Sequence, residues 1–474
     1  MASGGLSRFP IPEAKGAAEG CLFRASRFPT IGAKYPFAAR QRVGNLAEAT
    51  PGPAPQIRAM HDTVSVRIRR RREMYDAIVV GARCAGSPTS MLLARRGYRV
   101  LLVDKATFPS DTISTHILWP HGAAVLSRWG VLGALEDTGA PPICRRMSFD
   151  VGPFALRGTV AANEVHGFCP RRTVLDRILL EAAVASGVEA REAFTVETLV
   201  FDGDTVVGVR GRHRGGATVE ERARIVIGAD GVHSVVAKQV RAPEYDRRPI
   251  GTCAYYSYFS DVPQDDIELY VRERRALGGA PTNDGLHLVM VNWPTHDFAA
   301  VRADIEGHVQ RVLAMAPDFA ERVNSGKREE TWYGTAGVPN YLRKPYGKGW
   351  ALVGDASYCR DPLTAQGMSD AFIEAEQLAD AIDAGLSGRQ DLGRALEAVE
   401  AARNERVGAM YDFTNQLAAL EPPPVHMQEL FAALRTNQEA TNEFLSAITG
   451  AASLGDFMSP ENLRRVMGAA TIAT

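Results

Sequence analysis

The sequence predicts an α/β fold of two or more domains, with an inserted mixed or antiparallel β-sheet and a helical C-terminal region. Residues 74–105 have the pattern of a strand, a glycine-rich turn, a helix and a second strand. Residues 194–231 alternate between apolar and polar side chains, which is typical of an antiparallel meander that returns to a buried strand. Beyond Ser369 the pattern indicates helices almost to the end of the chain, with a break at residues 422–424.

The composition narrows the class of protein. The chain has 474 residues, of which 45% are hydrophobic and 23% are charged, as in globular proteins with more than one core. The formal net charge of −1 gives no reason to expect nucleic acid or an anionic membrane as a partner. No apolar run approaches the roughly 20 residues that a membrane-spanning helix needs. We therefore expect neither nucleic acid nor a membrane as a partner, and nothing here indicates the oligomeric state.

The six cysteines are scattered, without a CxxC pair: Cys21, Cys84, Cys144, Cys169, Cys253 and Cys359. This spacing argues against a zinc site and against a disulfide framework. It favours a reducing compartment, so we expect a cytoplasmic protein. A redox role for Cys84 is less favoured than a simple requirement for a small residue in its turn.

Residues 1–73 differ from the rest of the chain. They are rich in Gly, Pro, Ala and Arg, show little periodic apolar pattern, and end in the basic run of residues 67–72. Such a segment can be an organelle transit peptide or a basic nucleic-acid-binding arm. We favour a disordered extension, or an upstream start with the working domain beginning at Met74.

The elements after Met74 follow from local signals. Asp76–Val80 is a short apolar strand, and Pro88 lies near the first turn of a helix, where its missing N–H costs little. Gly97 ends that helix and Arg99–Asp104 is the next strand. Thr173–Gly187 has apolar residues at helical spacing.

The turn after the first strand predicts a dinucleotide site. Gly81 and Gly86 occupy the first and third glycine positions of the pattern GxGxxG, while Arg83 replaces the second glycine, which normally makes room for the phosphates. Asp104 follows the second strand, 23 positions after Gly81, where a carboxylate can accept hydrogen bonds from ribose hydroxyls. The alternative is an ordinary βαβ unit with glycines that serve packing.

Two later carboxylates also follow buried strands. Asp230 and Gly231 come directly after Ala223–Ile227, and Gly354 and Asp355 come after another apolar run. A carboxylate at the end of a strand can hold a ribose or ribityl hydroxyl. The helix that opens near Gly367 and Met368 directs N–H groups at an electron-rich ring edge.

With these three motifs in this order, residues 74–415 resemble the FAD-dependent aromatic hydroxylase superfamily. These are the para-hydroxybenzoate hydroxylase-like flavoproteins, which also include geranylgeranyl reductases and flavin halogenases. The resemblance implies a Rossmann-like FAD-binding domain in which Gly81 and Gly86 face the pyrophosphate and Asp104 faces the adenosine ribose. It implies that Asp355 holds the ribityl or pyrophosphate region, with Pro362, Gly367 and Met368 at the isoalloxazine.

The resemblance also places Arg172 on the FAD side, where the alternative is a surface salt bridge to Asp176. The candidate cofactor-binding residues are Gly81, Arg83, Cys84, Ala85, Gly86, Asp104, Lys105, His116, Arg172, Asp230, Gly231, Gly354, Asp355, Pro362, Gly367 and Met368. The chain departs from the family at Tyr358, where a histidine is usual. It also departs at His116, which either takes the place of a flavin-contacting arginine or serves packing.

The same resemblance suggests a division into domains. Residues 74–145, 171–245 and 340–415 would form the discontinuous FAD-binding domain. Residues 146–170 and 246–339 would form the substrate domain, since residues 251–341 are strand-rich and aromatic. Residues 416–474 would form the helical C-terminal region.

The resemblance implies a monooxygenase that uses NAD(P)H as a transient co-substrate and O2 to hydroxylate or epoxidise a small aromatic or polyketide-like molecule. A flavin-dependent reductase of an isoprenoid alkene and a flavin-binding protein without turnover are the alternatives. The halogenase branch is disfavoured because no W-x-W-x-I-P stretch is present. No catalytic residue and no metal site are predicted. Candidates for the substrate wall are Tyr255, Tyr256, Tyr258, His287, Asn292 and Trp293, although packing of a core is the favoured interpretation for each residue taken singly.

Overall fold

The structure is a computed structural model that describes residues 74–160 and 165–472; the expectations for residues 1–73 lie outside the described residues. In chain order the first strands are β1 (Tyr75–Val80), β2 (Val100–Val103), β3 (Pro142–Ile143), β4 (Met147–Asp150), β5 (Ala155–Gly158), β6 (Gly167–Phe168), β7 (Glu189–Arg191), β8 (Phe194–Asp202), β9 (Thr205–His213) and β10 (Val219–Gly228). The later strands are β11 (Glu244–Arg248), β12 (Thr252–Ser260), β13 (Glu268–Arg272), β14 (Arg275–Pro281), β15 (His287–Pro294), β16 (Lys327–Arg328), β17 (Tyr333–Thr335), β18 (Asn340–Arg343), β19 (Tyr346–Gly347), β20 (Trp350–Leu352) and β21 (Tyr358–Cys359).

The helices are α1 (Gly86–Arg95), α2 (Pro120–Arg128), α3 (Leu132–Glu136), α4 (Arg172–Ala185), α5 (Val235–Gln239), α6 (Phe298–Ala303), α7 (Ile305–Leu313), α8 (Pro317–Ser325), α9 (Gly367–Leu386), α10 (Leu392–Ala418), α11 (Val425–Arg435), α12 (Gln438–Ile448), α13 (Leu454–Phe457) and α14 (Pro460–Ile472). Short 3₁₀ turns occupy Asn283–Gly285, Thr295–Asp297, Gly354–Ala356 and Pro362–Thr364. The predicted α/β class with a helical C-terminal region is confirmed.

The first sheet has a parallel core in the order β20, β10, β1, β2 and β7. The first half of β10 also pairs antiparallel with β9, which pairs with β8, so one long strand joins the meander to the parallel core. The predicted meander, with a turn at Gly203 and another at residues 214–218, is therefore confirmed.

The two faces of this sheet bury alternate residues of each strand, as expected for parallel strands covered on both sides. Ala77 and Val79 of β1 pack in the cluster that contains Met91 of α1 and Leu179 of α4. Ile78 packs in a second cluster, on the side of the β8–β9 meander. The sheet is thus a buried platform that holds its strand ends rigidly.

The second sheet has the order β16, β12, β15, β14, β13, β4 and β5, with β17 added beside β12. It is antiparallel except where β13 pairs with β4. One face packs on α6–α8, which the sequence analysis missed within residues 251–341. The other face, including Tyr256 and Met290, lies in the cluster that contains residues of α11–α14. The C-terminal helices therefore complete the core on that side of the sheet.

Residues 74–160 and 165–472 lack two features, a membrane-spanning helix and a metal-binding cluster. In them no helix combines the length and the apolar character needed to cross a membrane. They also contain no group of three or more His, Cys, Asp or Glu side chains arranged to hold a metal ion.

The turn between β1 and α1 depends on two glycines that touch backbone atoms. Gly81 has φ +105°, a conformation that favours glycine, and a Cβ there would lie 2.3 Å from the carbonyl oxygen of Ala229. A Cβ on Gly86 would lie 1.7 Å from the carbonyl oxygen of Gly81. The helix can therefore begin this close to the strand only because Gly86 has no side chain.

We expect Gly86→Ala to lower the free energy of unfolding by about 1–3 kcal/mol, because the added methyl group forces backbone atoms apart. Urea unfolding measures the change. Gly133→Ala in α3 is the matched control, since no atom lies within 4 Å of a Cβ at that position. Equal stability of the two variants would contradict the close-packing argument.

Candidate active site

A large cavity lies at the carboxyl ends of β1, β10 and β20, where ligands bind in open α/β sheets. Its volume is about 710 Å³. Its wall contains residues within two positions of the end of each strand: Gly81, Ala229 and Gly354. All of the predicted cofactor residues line this cavity except Gly86 and His116.

Arg83, which replaces the expected glycine, lines the large cavity, and neighbouring residues hold its guanidinium. Its Nη1 donates to Asp176 Oδ2 at 2.5 Å and its Nη2 donates to Ser110 Oγ at 2.8 Å. The guanidinium also lies over the ring of Phe108, 5.2 Å from the ring centroid. Because these partners hold the Arg83 side chain, the replacement of glycine by arginine does not disrupt the turn.

Asp176 joins Arg83 to Arg172, and the three side chains form a buried network. Arg172 Nη2 donates to Asp176 Oδ1 at 2.9 Å and to Oδ2 at 3.0 Å. Although burial alone disfavours the guanidinium charge, the Asp176 carboxylate raises the pKa of Arg172. Arg172 is only 8% exposed and faces the cavity, so it is not the surface ion pair considered as an alternative.

Cys84 lies beside the same network. Its Sγ is 3.4 Å from Asp176 Oδ1, and burial raises the pKa of the thiol to about 12. A buried, protonated thiol of this kind is not activated as a nucleophile. The geometry agrees with the interpretation of Cys84 as a small residue that the turn requires.

Asp104 has a structural role that the sequence did not reveal. Its Oδ2 accepts from the Ala82 amide at 2.7 Å and its Oδ1 accepts from the Ala106 amide at 2.8 Å. The carboxylate therefore ties the glycine turn to the end of β2. Each oxygen retains a second lone pair for a ligand hydroxyl, and the exposed Lys105 lies next to it on the cavity wall.

Asp230 and Asp355 are the carboxylates with free acceptor capacity. Asp230 Oδ2 accepts from the Val235 amide at 2.6 Å, whereas its buried Oδ1 has no partner. The Asp355 side chain accepts no hydrogen bond from the residues that the structure describes. Its accessible surface belongs to the cavity wall, while the enclosing protein raises the pKa of both carboxyls by desolvation. Both groups are suited to accept ligand hydroxyls.

The opposite wall is formed by the start of α9. Gly367 is the first residue of this helix, and no protein atom lies within 4 Å of the position of a Cβ there. The amides of Gly367 and Met368 therefore lie at the N-terminus of the helix, which is its positive pole, beside Pro362. This arrangement stabilises negative charge at the cavity wall.

Asp361 holds the loop that carries Pro362. It accepts from the Thr252 amide and hydroxyl at 2.9 Å and from the Leu363 amide at 3.1 Å. Burial nevertheless raises the pKa of Asp361 to about 6. The sequence analysis assigned Asp361 no role; its position directly before a loop proline was the available signal.

A second group of charges, also missed, lies at the start of α9, where Tyr358, Arg360 and Asp370 line the large cavity. Tyr358, which stands where the family has histidine, donates to Asp370, and Arg360 Nη2 donates to the same carboxylate at 2.5 Å. Arg406 of α10 donates to its other oxygen. Although burial favours the neutral acid, Arg360 and Arg406 lower the pKa of Asp370. The change from histidine to tyrosine is thus matched by a buried ion pair that fastens α9 to α10.

His116 is placed behind the cavity and not on its wall. It is fully buried, has φ +60°, and its Nε2 lies 2.8 Å from the Tyr258 hydroxyl. Burial, followed by the charge of Arg172, lowers the pKa of His116 to about 3. These contacts are those of the packing histidine that the sequence left open.

A smaller cavity of about 80 Å³, here called the apolar cavity, adjoins the large one. The two cavities share Thr115, Met290, Pro362 and Ala365. The apolar cavity lies against the second sheet and the end of α10, and it is lined mainly by Trp119, Met147, Phe149, Leu269, Leu288 and Phe413.

The residues predicted to form a substrate wall divide between the two faces of the second sheet, because successive side chains of a strand point to opposite faces. Tyr256 lines the large cavity and Asn292 lines the apolar cavity. Tyr255 and Trp293 lie on the opposite face, in the core with α6–α8. Tyr258 contacts His116, and His287 Nε2 lies 2.8 Å from the carbonyl oxygen of Gln264. Only the first two of these side chains face a cavity.

These features define the class of protein. A parallel sheet that ends at a glycine turn, acceptor carboxylates and a helix N-terminus is a dinucleotide-binding α/β fold. Residues 74–414 match the family described as "FAD binding domain", and the chain belongs to that family. It is therefore a member of an FAD-dependent oxidoreductase family, and the predicted place in the aromatic hydroxylase superfamily is confirmed.

Relatives and solved structures agree with this assignment. Digeranylgeranylglycerophospholipid reductase of Methanosarcina mazei is 29% identical over 332 residues, which cover 66% of this chain and 77% of that protein. The myxobacterial chondrochloren halogenase CndH is 24% identical with a TM-score of 0.67, over 84% of this chain and 97% of that one. PqsL of Pseudomonas aeruginosa, a probable FAD-dependent monooxygenase, is 22% identical with a TM-score of 0.60, over 78% and 98% of the two chains. The solved structures show a shared fold.

The large cavity fits FAD. Its three strand-end carboxylates can accept ribose and ribityl hydroxyls, and the buried Oδ1 of Asp230 has no other partner. The N-terminus of α1 offers amides to a pyrophosphate across the glycine turn. The start of α9 offers amides to the edge of a flavin ring.

We expect Asp355→Asn to lower FAD affinity by about tenfold to a hundredfold while leaving the stability of the apoprotein unchanged. The reason is that Asp355 has no protein hydrogen bond to lose, whereas a charged acceptor for a ligand hydroxyl disappears. Asp104→Asn should lower both quantities, since this side chain also accepts from the Ala82 and Ala106 amides. Flavin content and thermal unfolding of the apoproteins measure the difference; equal behaviour of the two variants would contradict these roles.

The buried neutral His116 predicts a loss of stability in acid. Its pKa falls from 6.5 to about 3 on folding, so below pH 6.5 the unfolded chain binds a proton that the folded chain does not. The free energy of unfolding therefore decreases as the pH falls through this window, by about 1.4 kcal/mol per pH unit for one group.

In His116→Gln this decrease should be smaller, as measured by urea unfolding at about pH 7 and about pH 5. His426→Gln, at an exposed position, is the control and should keep the wild-type dependence. Parallel pH curves for the two variants would show that His116 is not held neutral.

Proposed function

We propose that this protein is an FAD-dependent monooxygenase that hydroxylates or epoxidises an apolar aromatic or polyketide-like molecule, with NAD(P)H as electron donor. The observation that carries the proposal is the apolar cavity beside the cofactor cavity. In the part of the chain that the structure describes, its lining contains no Asp, Glu, Lys, Arg, His or Cys. An electrophilic oxygen transfer to an electron-rich ring or double bond needs a dry site more than it needs an acid.

FAD, when bound, takes a hydride from a nicotinamide donor and delivers electrons to O2. The residues of this chain supply the surroundings for that chemistry. Met290, Pro362 and Ala365 separate the two cavities and bring an apolar substrate to the flavin end of the large one. The amides of Gly367 and Met368 stabilise negative charge at that end. The apolar lining excludes water, which favours transfer of oxygen to the substrate over release of hydrogen peroxide.

The nicotinamide donor has no separate glycine motif in the chain. The lack of such a motif is consistent with brief binding of the nicotinamide donor in the large cavity. It is equally consistent with reduction of the flavin by a partner protein. We favour the first route, because residues 112–115 line the large cavity and are themselves half-buried or exposed.

The second candidate is reduction of an isoprenoid alkene, which the likeness to the digeranylgeranylglycerophospholipid reductases favours. Saturation of a double bond needs a proton as well as a hydride. Tyr256 and Tyr358 are phenols on the wall of the large cavity, and burial raises the pKa of both further above 10. These hydroxyls are weak acids, and among the described residues no Asp, Glu, His, Lys, Arg or Cys lines the apolar cavity, where the substrate would lie, so the geometry supports the oxygenase better than the reductase.

Under ¹⁸O2, we expect product that contains one labelled oxygen atom, with NADPH consumed in step with substrate. Mass spectrometry of the products and NADPH absorbance measure the two quantities on a panel of apolar aromatic and alkene substrates. An assay with unlabelled O2 in H2¹⁸O is the control and should give no label. Turnover without oxygen, with one NADPH used per saturated double bond, would reject the oxygenase and establish the reductase.

A further inference from the structure

Few polar groups line the apolar cavity. All of the buried ones except one have a hydrogen-bond partner in the protein. Trp119 Nε1 donates to the carbonyl oxygen of Thr364 at 3.0 Å, and Thr364 Oγ1 lies 2.7 Å from Thr414 Oγ1. The Tyr270 hydroxyl donates to Glu268. The exception is Asn292 of β15, which is 4% exposed and whose Oδ1 has no partner.

The sheet leaves space at this amide. Asn292 pairs with Ala254 of β12 on one side and with Ala276 of β14 on the other, so both cross-strand neighbours are short. Ala254 lines the large cavity and Ala276 lines the apolar cavity, with Asn292 between them. The two ends of an Asn amide are interchangeable in assignment, and in either orientation a polar atom remains without a partner.

A buried polar group without a partner destabilises a fold, so one that borders a cavity is explained by a ligand or an ordered water that reaches it. We propose that Asn292 is the hydrogen-bonding anchor of the substrate site. It selects a neutral, otherwise apolar molecule that carries one hydroxyl or carbonyl group. No other polar group of the molecule lies near that one. This inference rests on the proposed function in taking the apolar cavity as the substrate site.

The same lining excludes charged substrates. No cation among the described residues lines the apolar cavity to neutralise a carboxylate, and no anion lines it to neutralise an amine. Transfer of an unpaired charge into such a site is far more costly than transfer of a hydroxyl that finds Asn292. The substrate class is therefore a phenol, alcohol or ketone on an apolar skeleton, and not an aromatic acid.

The test uses the full-length protein with FAD bound and oxidised, and three probes of similar size: phenol, toluene and benzoate. Dissociation constants follow from the change in flavin absorbance, with calorimetry as a second measurement. The wild-type protein should bind phenol about tenfold more tightly than toluene, the size expected for one hydrogen bond, and benzoate the most weakly. In Asn292→Leu, which is close in volume, the preference for phenol over toluene should fall to about one, with toluene binding retained.

Ser257→Ala is the matched control. Ser257 is buried in the neighbouring strand, where its Oγ donates to the carbonyl oxygen of Glu330 at 2.8 Å and does not line either cavity. It should keep the tenfold preference. Wild-type protein that binds toluene or benzoate as tightly as phenol would overturn the proposal without any variant, and so would an unchanged preference in Asn292→Leu.

These outcomes are independent of the reaction. Binding is measured without NADPH and without turnover, so absence of ¹⁸O from the product rejects the oxygenase but leaves the phenol preference as it is. Loss of the preference rejects the role of Asn292 but leaves oxygen incorporation as it is.

Discussion

The cavity depends on one buried carboxylate, Asp176, which two arginines share. A charge removed from water must be paired, and Asp176 is fully buried, so its partners are held in place as firmly as the carboxylate itself. Through Arg83 it holds the glycine turn and the loop at Ser110, and through Arg172 it holds the wall of the cavity. Turn, loop and helix α4 are thereby fixed around the site at which a pyrophosphate would bind.

The two cavities divide the chemistry of the site. The large cavity places carboxylates at strand ends and amides at helix starts, which suits a polar nucleotide. The apolar cavity is formed by the second sheet and the C-terminal helices, and it excludes water. A buried ion-pair group, Asp370 with Arg360 and Arg406, joins α9 to α10 at the boundary. The carboxylate of Asp370 is paired with both arginines, so its charge is balanced where it reaches the cavity wall.

Much of the cofactor site was predictable, because its determinants are local. Gly81 and Gly86 are needed by a turn within six residues, and Asp230 and Asp355 directly follow buried strands, so short patterns identify them. Other features depend on contacts distant in sequence. Arg83 departs from the glycine pattern, and its partner Asp176 lies 93 positions away in the sequence. The partner of His116 is Tyr258, 142 positions away. Helices α6–α8 were missed because the aromatic strands around them dominated the pattern.

The sequence by itself determined the α/β class, the order of the motifs and the kind of cofactor. These follow from the period of the apolar residues and from the intolerance of a tight turn for side chains. The tertiary structure decided which polar groups are free. Asp104 and Asp355 look alike in sequence, yet one is held by two backbone amides and the other meets only the cavity. Asn292 keeps an oxygen without a partner between two alanines, its cross-strand neighbours. The reason is physical: hydrogen bonding and desolvation depend on neighbours in space, which pairing across a sheet supplies and the order of residues does not show.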